Sequence, residues 1–366
     1  MSKVLTTEQR EQAGSDSYNR FEYQVHWIVC HIIGKLQEDA ECIVFCEFHD
    51  DMAEFSPNNQ QYQFYQIKTK EDSSDWTIAE MSKREKKKTG GYKKSFLGFI
   101  FYNYFAFGAE CSHCHFVSNN DFDNDVLLWQ AYVEDGKSLQ TENVELYGKI
   151  KDRIKEEFSD NMPSNFDSVF EEFIQNTFVH KSELQLTTYE SQAMGKFFNH
   201  LADKNIPSNT ANLIFQQLLN DVRKKSKEKI KAPISMKRLV EKKGVDVAQV
   251  GKKINDNIKT SGNYDAFRNY LVSQSLSDKD VNRIIAAKTL HDARWLDVND
   301  VRYQEIVVAL RKVVSTYCEL CEKNRVSDEL KNMCIQELQN RNLSSDSLDQ
   351  SLVEVLYYEH QFSRKG

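Results

Sequence analysis

The stretch from Glu41 to Lys70 reads ECIVFCEFHDDMAEFSPNNQQYQFYQIKTK and decides the fold around it. Apolar residues recur at extended-chain spacing on both sides of Ser-Pro-Asn-Asn, and these four residues are typical of a turn. The stretch therefore predicts two β-strands joined by a four-residue loop, Pro57 to Gln60.

The predicted loop sets how the two strands pair. It places Asp51 opposite Gln66, and directly opposed side chains lie roughly 4.5–5.5 Å apart on one face of a sheet. Because side chains alternate along a strand, Lys68 and Glu47 share that face and Asp50 points away from it. A one-residue bulge would reverse the choice between Asp50 and Asp51.

An acid, an amide and a lysine on one strand face suit phosphodiester hydrolysis. Mg²⁺, or Mn²⁺ in its place, is usually held by one or two carboxylates together with substrate oxygens. Asp51 would hold the metal, Gln66 would add a neutral oxygen or orient the attacking water, and Lys68 would offset negative charge on the phosphate. The other interpretation is a solvated face of an amphipathic hairpin, which is the more frequent meaning of a lone D…QxK pattern.

The surrounding chain predicts further elements of an α/β core. Apolar residues at three- and four-residue spacing predict a helix over 17–37, and an apolar run predicts a crossover helix over 92–107. We also expect a helical region over 76–85, a strand over 114–118, a late strand over 178–187, and mainly helices elsewhere beyond 123.

Several pieces of the sequence together resemble the PD-(D/E)xK nuclease superfamily, in the variant whose last motif is QxK. More narrowly, residues 14–118 are similar to the double-strand DNA endonuclease domain of bacterial CBASS and Lamassu-type defence systems. The matching pieces are Gly14–Asp16 with Phe21–Gln24, Phe45–Met52, Phe64–Glu71, Trp76-Thr77 and His115–Asn119.

The resemblance implies roles for individual residues. It makes Asp51 a metal ligand and Lys68 essential, and it matches Glu22 to a position that often adds a second carboxylate. Together with the strand argument, the predicted metal ligands are Asp51, Gln66, Glu47 and Glu22. It also implies a restriction-endonuclease-like core with a mixed sheet, here followed by a mostly α-helical C-terminal region.

The resemblance departs from CBASS members at the C-terminus, where no nucleotide-sensor domain is recognisable. This favours a Lamassu-like arrangement, in which an SMC-like ATPase and an accessory subunit control the nuclease. We therefore expect a nuclease domain over 1–188, with its core at 14–122, and a helical regulatory or partner-binding domain over 189–366. The predicted function is that of a defence effector that cuts double-stranded DNA and stays inactive until it is released or forms a homo-oligomer. The alternative is a nonenzymatic adaptor that binds DNA or the SMC-like partner.

Composition and charge set wider bounds. The chain has 366 residues, eight cysteines and a formal net charge of −7, which argues against a protein coated by DNA over its whole surface. Eight cysteines without an apparent secretory signal predict reduced thiols and a cytoplasmic location, and no apolar run is long enough to cross a membrane.

Basic residues are concentrated in two stretches, Lys68–Lys94 and Arg223–Lys259, and either could neutralise phosphates. For the second stretch a solvated helix face is an equally good interpretation. The first lies beside the predicted site, so its members are the predicted DNA contacts: Lys70, Lys86, Lys87, Lys88 and Lys93.

Overall fold

The structure, a computed structural model, describes residues 13–38, 40–204, 206, 208–261, 264–296, 301–320, 326–343 and 350–364. The sheet strands are β1 (Ile43–Cys46), β2 (Met52–Ser56), β3 (Gln61–Lys68), β4 (Cys111–Ser118), β5 (Thr177–Lys181) and β6 (Gly244–Asp246). They form one mixed sheet in the order β5-β4-β3-β2-β1-β6, in which β3, β4 and β5 are parallel and the remaining pairs are antiparallel.

Helices account for most of the remaining described chain. They are α1 (Ala13–Gln37), α2 (Ile78–Met81), α3 (Phe96–Phe107), α4 (Asn124–Glu134), α5 (Leu139–Glu142), α6 (Val144–Glu157), α7 (Phe166–Gln175), α8 (Tyr189–Leu201), α9 (Ser208–Lys227), α10 (Met236–Lys243), α11 (Val247–Ser261), α12 (Tyr264–Ser273), α13 (Asp278–Leu296), α14 (Val301–Leu320), α15 (Asp328–Asn340) and α16 (Gln350–Ser363). The predicted fold class, an α/β core with a mixed sheet and a helical C-terminal region, is confirmed. In the part of the chain that the structure describes, no helix is both long and apolar enough to cross a membrane.

The Glu41–Lys70 stretch forms three strands, not the two that its sequence predicts. The four-residue loop Pro57–Gln60 and the predicted pairing are confirmed, since Met52 lies opposite Tyr65 and Ser56 opposite Gln61. The first predicted strand is broken by a tight turn over 47–51, so that β1 and β2 form a hairpin of their own.

Helices cover both faces of the sheet. Residues 64 and 65 point to opposite faces, as alternation requires. On one face Phe64 stacks on Phe107 of α3, with the ring centroids 5.1 Å apart. On the other, Tyr65 lies 5.7 Å from Trp27 of α1. Gln66 and Lys68 share the face of Phe64, which places the candidate site between the sheet and the start of α3.

Other sequence expectations need correction. The region 76–85 is helical only at Ile78–Met81, because the chain from residue 83 onward turns into a loop closed by Gly90 and Gly91. The predicted late strand 178–187 ends at Lys181. Strand β6 is absent from the predicted elements: Gly244–Asp246 is too short to show a period and forms only through its pairing with β1.

The chain divides into two compact units, each discontinuous in sequence. The first comprises the described residues up to Phe197 together with Val222–Gln249, and it contains the sheet. The second comprises Phe198–Asp221 and the described residues from Val250 onward, and it is helical. The division between 188 and 189 into a nuclease and a regulatory region remains a prediction, because compactness alone assigns no role to either unit.

The second unit has a core of its own, with Leu310, Val353 and Leu356 buried. The second unit also contains a buried lysine. Lys288 is only 1% exposed, and its ammonium pairs with Asp292 at 3.0 Å and with Glu359 at 2.5 Å. A buried lysine is tolerated where carboxylates and hydrogen bonds compensate the lost hydration.

Candidate active site

A tight turn between β1 and β2 brings three carboxylates to the end of strand β3. The backbone N–H of Glu47 donates to the carbonyl of Asp51 at 3.0 Å and closes the turn. Glu47 and His49 adopt positive φ angles of 51° and 63°, which are uncommon for residues other than glycine. The turn leaves Glu47, Asp50 and Asp51 lining one cavity.

Asp51 and Lys68 form an ion pair in this cavity, with Asp51 Oδ2 2.9 Å from Lys68 Nζ. The same oxygen accepts a hydrogen bond from the backbone N–H of Ile67 at 2.7 Å. Both side chains remain partly exposed, Asp51 at 15% and Lys68 at 23%. The carboxylate is therefore held firmly by strand β3 and still reaches solvent.

The structure places Asp50 at the site, whereas its sequence position predicted a side chain that points away from it. Its Oδ1 accepts a hydrogen bond from Gln66 Nε2 at 3.5 Å, and its Oδ2 accepts one from Asn103 Nδ2 at 3.0 Å. Asp50 lies in the turn and not in an extended strand, so its side chain and that of Asp51 need not point in opposite directions.

The side-chain oxygen of Gln66 has no hydrogen-bond partner among the described residues. The side chain is 4% exposed, its Nε2 is used by Asp50, and its Oε1 is buried without a hydrogen-bond partner among the described residues. A buried acceptor left unpaired costs about 1–3 kcal/mol. A cation or a bound water beside Oε1 would remove that cost.

Negative charge is concentrated at the turn. Burial and the neighbouring Asp51 carboxylate raise the pKa of Glu47 to about 7, although Lys243 and Lys68 oppose the shift. Burial and Asp51 likewise raise the pKa of Asp50 to about 7. Clustered carboxylates with raised pKa values are common at functional sites, since a cation or a shared proton relieves their repulsion.

These residues fit a magnesium site of the kind completed by substrate. Among the described residues, no group of three or more His, Cys, Asp or Glu side chains could enclose a metal ion. Mg²⁺ does not require such a cage, because it commonly uses one or two carboxylates, several waters and phosphate oxygens. Asp51 and the unsatisfied oxygen of Gln66 meet that lower requirement, and Glu47 is close to them in the same cavity.

The cavity, of about 1110 Å³, also has a wall that is rich in lysines. That wall is the loop over 83–94. Two backbone hydrogen bonds close the loop: the N–H of Lys87 donates to the carbonyl of Gly91 at 2.9 Å, and the N–H of Lys93 donates to the carbonyl of Glu85 at 2.8 Å. The lysines lining the cavity are Lys68, Lys70, Lys83, Lys87, Lys93 and Lys94. Glu85 lines the cavity as well, and its Oε2 lies 2.7 Å from Lys93 Nζ. The cavity thus brings carboxylates and lysines together, which suits an anion that is bound with a cation.

The predicted DNA-contacting lysines are not equivalent in the structure. Lys87 and Lys93 line the cavity, whereas Lys86 and Lys88 are exposed on the same loop without lining it. Lys70 is engaged inside the protein: its ammonium is 2.9 Å from Glu80 Oε2 and 4.4 Å from the centroid of the Trp76 ring. Contact of any of these lysines with DNA stays a prediction.

Glu22 lies apart from the other predicted metal ligands. It does not line the cavity, it is only 4% exposed, and its Oε2 is 2.7 Å from Arg223 Nη2. Arg223 Nε lies 3.0 Å from both carboxylate oxygens. This arrangement makes Glu22 an ion-pair partner of helix α9, and the structure does not bring it together with Asp51.

Sequence reasoning missed three contributors to the site: Asp50, Asn103 and Lys243. Asn103 was visible as the one amide in the apolar run FLGFIFYNYFAF, where a buried polar side chain implies a partner. Lys243 is 3% exposed and reaches the region of Glu47 only because β6 pairs with β1. No local pattern could have revealed that contact.

The mixed sheet carries Asp51, Gln66 and Lys68 at one end, in a cavity lined by further lysines, and this is the set of residues that the sequence analysis predicted for phosphodiester hydrolysis. Residues 12–226 match the family described as "Cap4, dsDNA endonuclease domain". This match covers more than half of the chain, and the chain belongs to that family.

A solved structure with similarity to this chain is the SAVED/CARF-domain-containing Cap4 receptor of Moraxella osloensis. The two are 16% identical with a TM-score of 0.35, and the match covers 56% of this chain and 43% of that one. The chain thus spans less than half the length of that receptor. No curated protein matches the chain significantly.

Proposed function

We propose that this protein is a Mg²⁺-dependent endonuclease that cuts double-stranded DNA at the Asp51–Lys68 site. The observation that carries the proposal is the Asp51–Lys68 pair beside the unsatisfied oxygen of Gln66, in a cavity with a lysine wall. Membership of a family described as a double-strand DNA endonuclease domain supports the choice of substrate.

Asp51 and Gln66 would hold the metal, with Glu47 as a third oxygen donor. When bound, Mg²⁺ supplies a more acidic water and neutralises charge on the phosphate. The protein's part is orientation: the Ile67 N–H and Lys68 fix Asp51 Oδ2, while Asn103 and Gln66 fix Asp50. Such fixed groups stabilise a transition state because they need no reorganisation during the reaction.

Lys68 would act on the reacting phosphate itself. Its ammonium lies 2.9 Å from Asp51 and 5.4 Å from the centroid of the Phe96 ring, which limits its range of positions. A cation held there offsets the negative charge that develops on the phosphate and positions the attacking water.

We further propose that the nuclease is the effector of a prokaryotic anti-phage or anti-plasmid defence complex, inactive until released or oligomerised. The family match supports the defence setting and ends at residue 226, which leaves the helical chain beyond it available for regulation. An SMC-like ATPase with an accessory subunit is the proposed partner. Co-expression with such an ATPase should give a complex that suppresses cleavage, and free chain that stays monomeric and fully active beside the ATPase would contradict this regulation.

Metal dependence is tested by plasmid cleavage together with metal binding. Purified protein should nick supercoiled plasmid with Mg²⁺ or Mn²⁺ and should not do so in EDTA. Mg²⁺ should raise the melting temperature of the wild type and should not raise that of Asp51→Asn. Protein that binds no metal and cuts under no condition, as a monomer or an oligomer, would instead favour the nonenzymatic adaptor.

A further inference from the structure

An exposed aromatic ring lines the candidate active-site cavity. Phe99 of helix α3 lines the cavity and is 43% exposed. Its neighbour Phe96 packs edge-on against Trp76, with 5.8 Å between the ring centroids, but no aromatic ring of the described chain packs on Phe99. Helix α3 also exposes Tyr102 and Phe105, so Phe99 belongs to a group of exposed rings, and such groups often mark binding sites.

The position of Phe99 is set by rigid neighbours. Phe96, Phe99 and Asn103 follow one another at spacings of three and four residues, so they lie on the same face of α3. Asn103 binds the Asp50 carboxylate at 3.0 Å. Ser95 caps the helix by accepting from the N–H of Gly98 at 2.8 Å, and its own hydroxyl donates to Glu157 at 2.6 Å. The ring is therefore held about one helical turn from the group that binds Asp50.

Lysines of the loop over 83–94 line the same cavity as the ring, together with the carboxylate of Glu85. Lys87, Lys93 and Lys94 line the same cavity, and Lys94 Nζ lies 4.9 Å from the centroid of the Tyr102 ring. Lysines that follow a phosphate backbone, combined with aromatic rings on which bases stack, characterise sites for unpaired nucleotides. A fully paired duplex offers no base face for such a ring, because its bases are stacked on one another.

We propose that the cavity accepts one unstacked base of the DNA. This base stacks on Phe99, and its flanking phosphates lie against the lysines of the loop over 83–94. This deepens the proposed function and rests on it: the preferred substrate is a duplex with a base already out of the stack. A base flipped from intact duplex costs a few kcal/mol, whereas an unpaired one costs less.

The test is equilibrium binding without cleavage, with fluorescence anisotropy in Ca²⁺ of two labelled 24-nucleotide duplexes. One is fully paired and the other carries a single unpaired adenine. Wild type should bind the second on the order of tenfold more tightly, in line with the range for one base stacked on an aromatic ring. Phe99→Leu should lose this preference, whereas Phe99→Trp should keep it. Phe105→Ala, at a position on α3 that is 36% exposed and outside the cavity lining, should also keep it.

Equal binding of the two duplexes by wild type, or an unchanged preference in Phe99→Leu, would overturn the proposal. So would a difference in sedimentation between wild type and Phe99→Leu without an effect on base preference, because the ring would then belong to a protein interface. Plasmid cleavage by the same preparations separates this inference from the proposed function. Cleavage that persists without any base preference would reject only the role of Phe99.

Discussion

At the scale of single residues, the position of Asp51 followed from its sequence and that of Asp50 did not. The Pro57–Gln60 loop determines the pairing of β2 with β3, and pairing determines which side chains meet across the strands. Asp51 immediately precedes β2 and obeys that rule. Asp50 is one residue further into the turn, where its direction depends on Asn103, about fifty residues away along the chain.

Glu22 provides a residue-scale prediction that separates a metal ligand from an ion-pair partner. Glu22→Gln removes the charge that Arg223 neutralises, so we expect a loss of roughly 1–3 kcal/mol in the free energy of unfolding, as for hydrogen bonds to charged groups. Because Glu22 does not line the cavity, the affinity for Mg²⁺ should not change. Chemical denaturation and calorimetric titration measure the two effects.

Asp51→Asn is the matched comparison, since Asp51 lines the cavity and is paired at 2.9 Å with Lys68. It should weaken Mg²⁺ binding strongly. If Glu22→Gln weakened the binding as much as Asp51→Asn does, the resemblance-based role of Glu22 would be restored.

At the scale of elements, the sequence predicted those helices and loops whose residues show a local pattern of their own. The apolar run of α3, the amphipathic spacing of α1 and the loop between β2 and β3 were all recognisable from sequence. The tight turn over 47–51 was not, because Glu47 and His49 take positive φ angles without being glycine. Strand β6 was not recognisable either, since its three residues pair with a strand about two hundred positions earlier.

Gly244 provides an element-scale prediction about β6. A Cβ at this position would lie 2.8 Å from the Val240 backbone and 3.0 Å from the Phe45 ring. Gly244→Ala should therefore destabilise the β1–β6 pairing by about 1–3 kcal/mol, the usual cost of overpacking. It should also lower nuclease activity, because β6 brings Lys243 towards Glu47.

Gly148→Ala on helix α6 is the control. A Cβ there meets nothing within 4 Å, so the change should stabilise the helix by about 0.5–1 kcal/mol. Thermal unfolding compares the two variants. Gly244→Ala with wild-type stability would show that β6 does not pack as described.

The lysine loop gives a second element-scale prediction. Reversal of Lys86, Lys87 and Lys88 to Glu should weaken DNA binding and reduce the dependence of affinity on salt, by about 0.9 in the logarithmic slope for each lost phosphate contact. Lys87 lines the cavity and its two neighbours extend from the same loop. A salt titration of binding to a short duplex measures the slope.

The second basic stretch supplies a charge-matched control. Lys229, Lys231 and Lys237 are exposed, and their reversal to Glu changes the net charge by the same amount. If they lie on a solvated face, their reversal should leave the slope nearly unchanged. Equal slopes for the two triple variants would mean that overall charge, and not the loop, governs binding.

At the scale of the whole molecule, the family match and the compact units overlap without coinciding. The match ends at residue 226, whereas the first unit recruits Val222–Gln249 to complete its sheet. A sheet strand that comes from a distant segment leaves no mark in local composition, and the four prolines of the chain give few breaks that would indicate a domain boundary. The distant position of this strand also means that a truncation near 226 would remove β6 from the nuclease sheet.

The central claim is that Lys68, paired with Asp51, takes part in phosphodiester cleavage, and plasmid cleavage by full-length Lys68→Ala tests it most directly. The Lys68 side chain is 23% exposed and lies at the rim of a cavity, so the variant should fold as wild type does. Lys237→Ala, at an exposed lysine of the second basic stretch, is the matched control. With Mg²⁺, Lys68→Ala should cut at least about 10²-fold more slowly than wild type, the usual cost of removing one charge-stabilising group, while Lys237→Ala stays within a few-fold. Cleavage by Lys68→Ala at the wild-type rate would contradict the account.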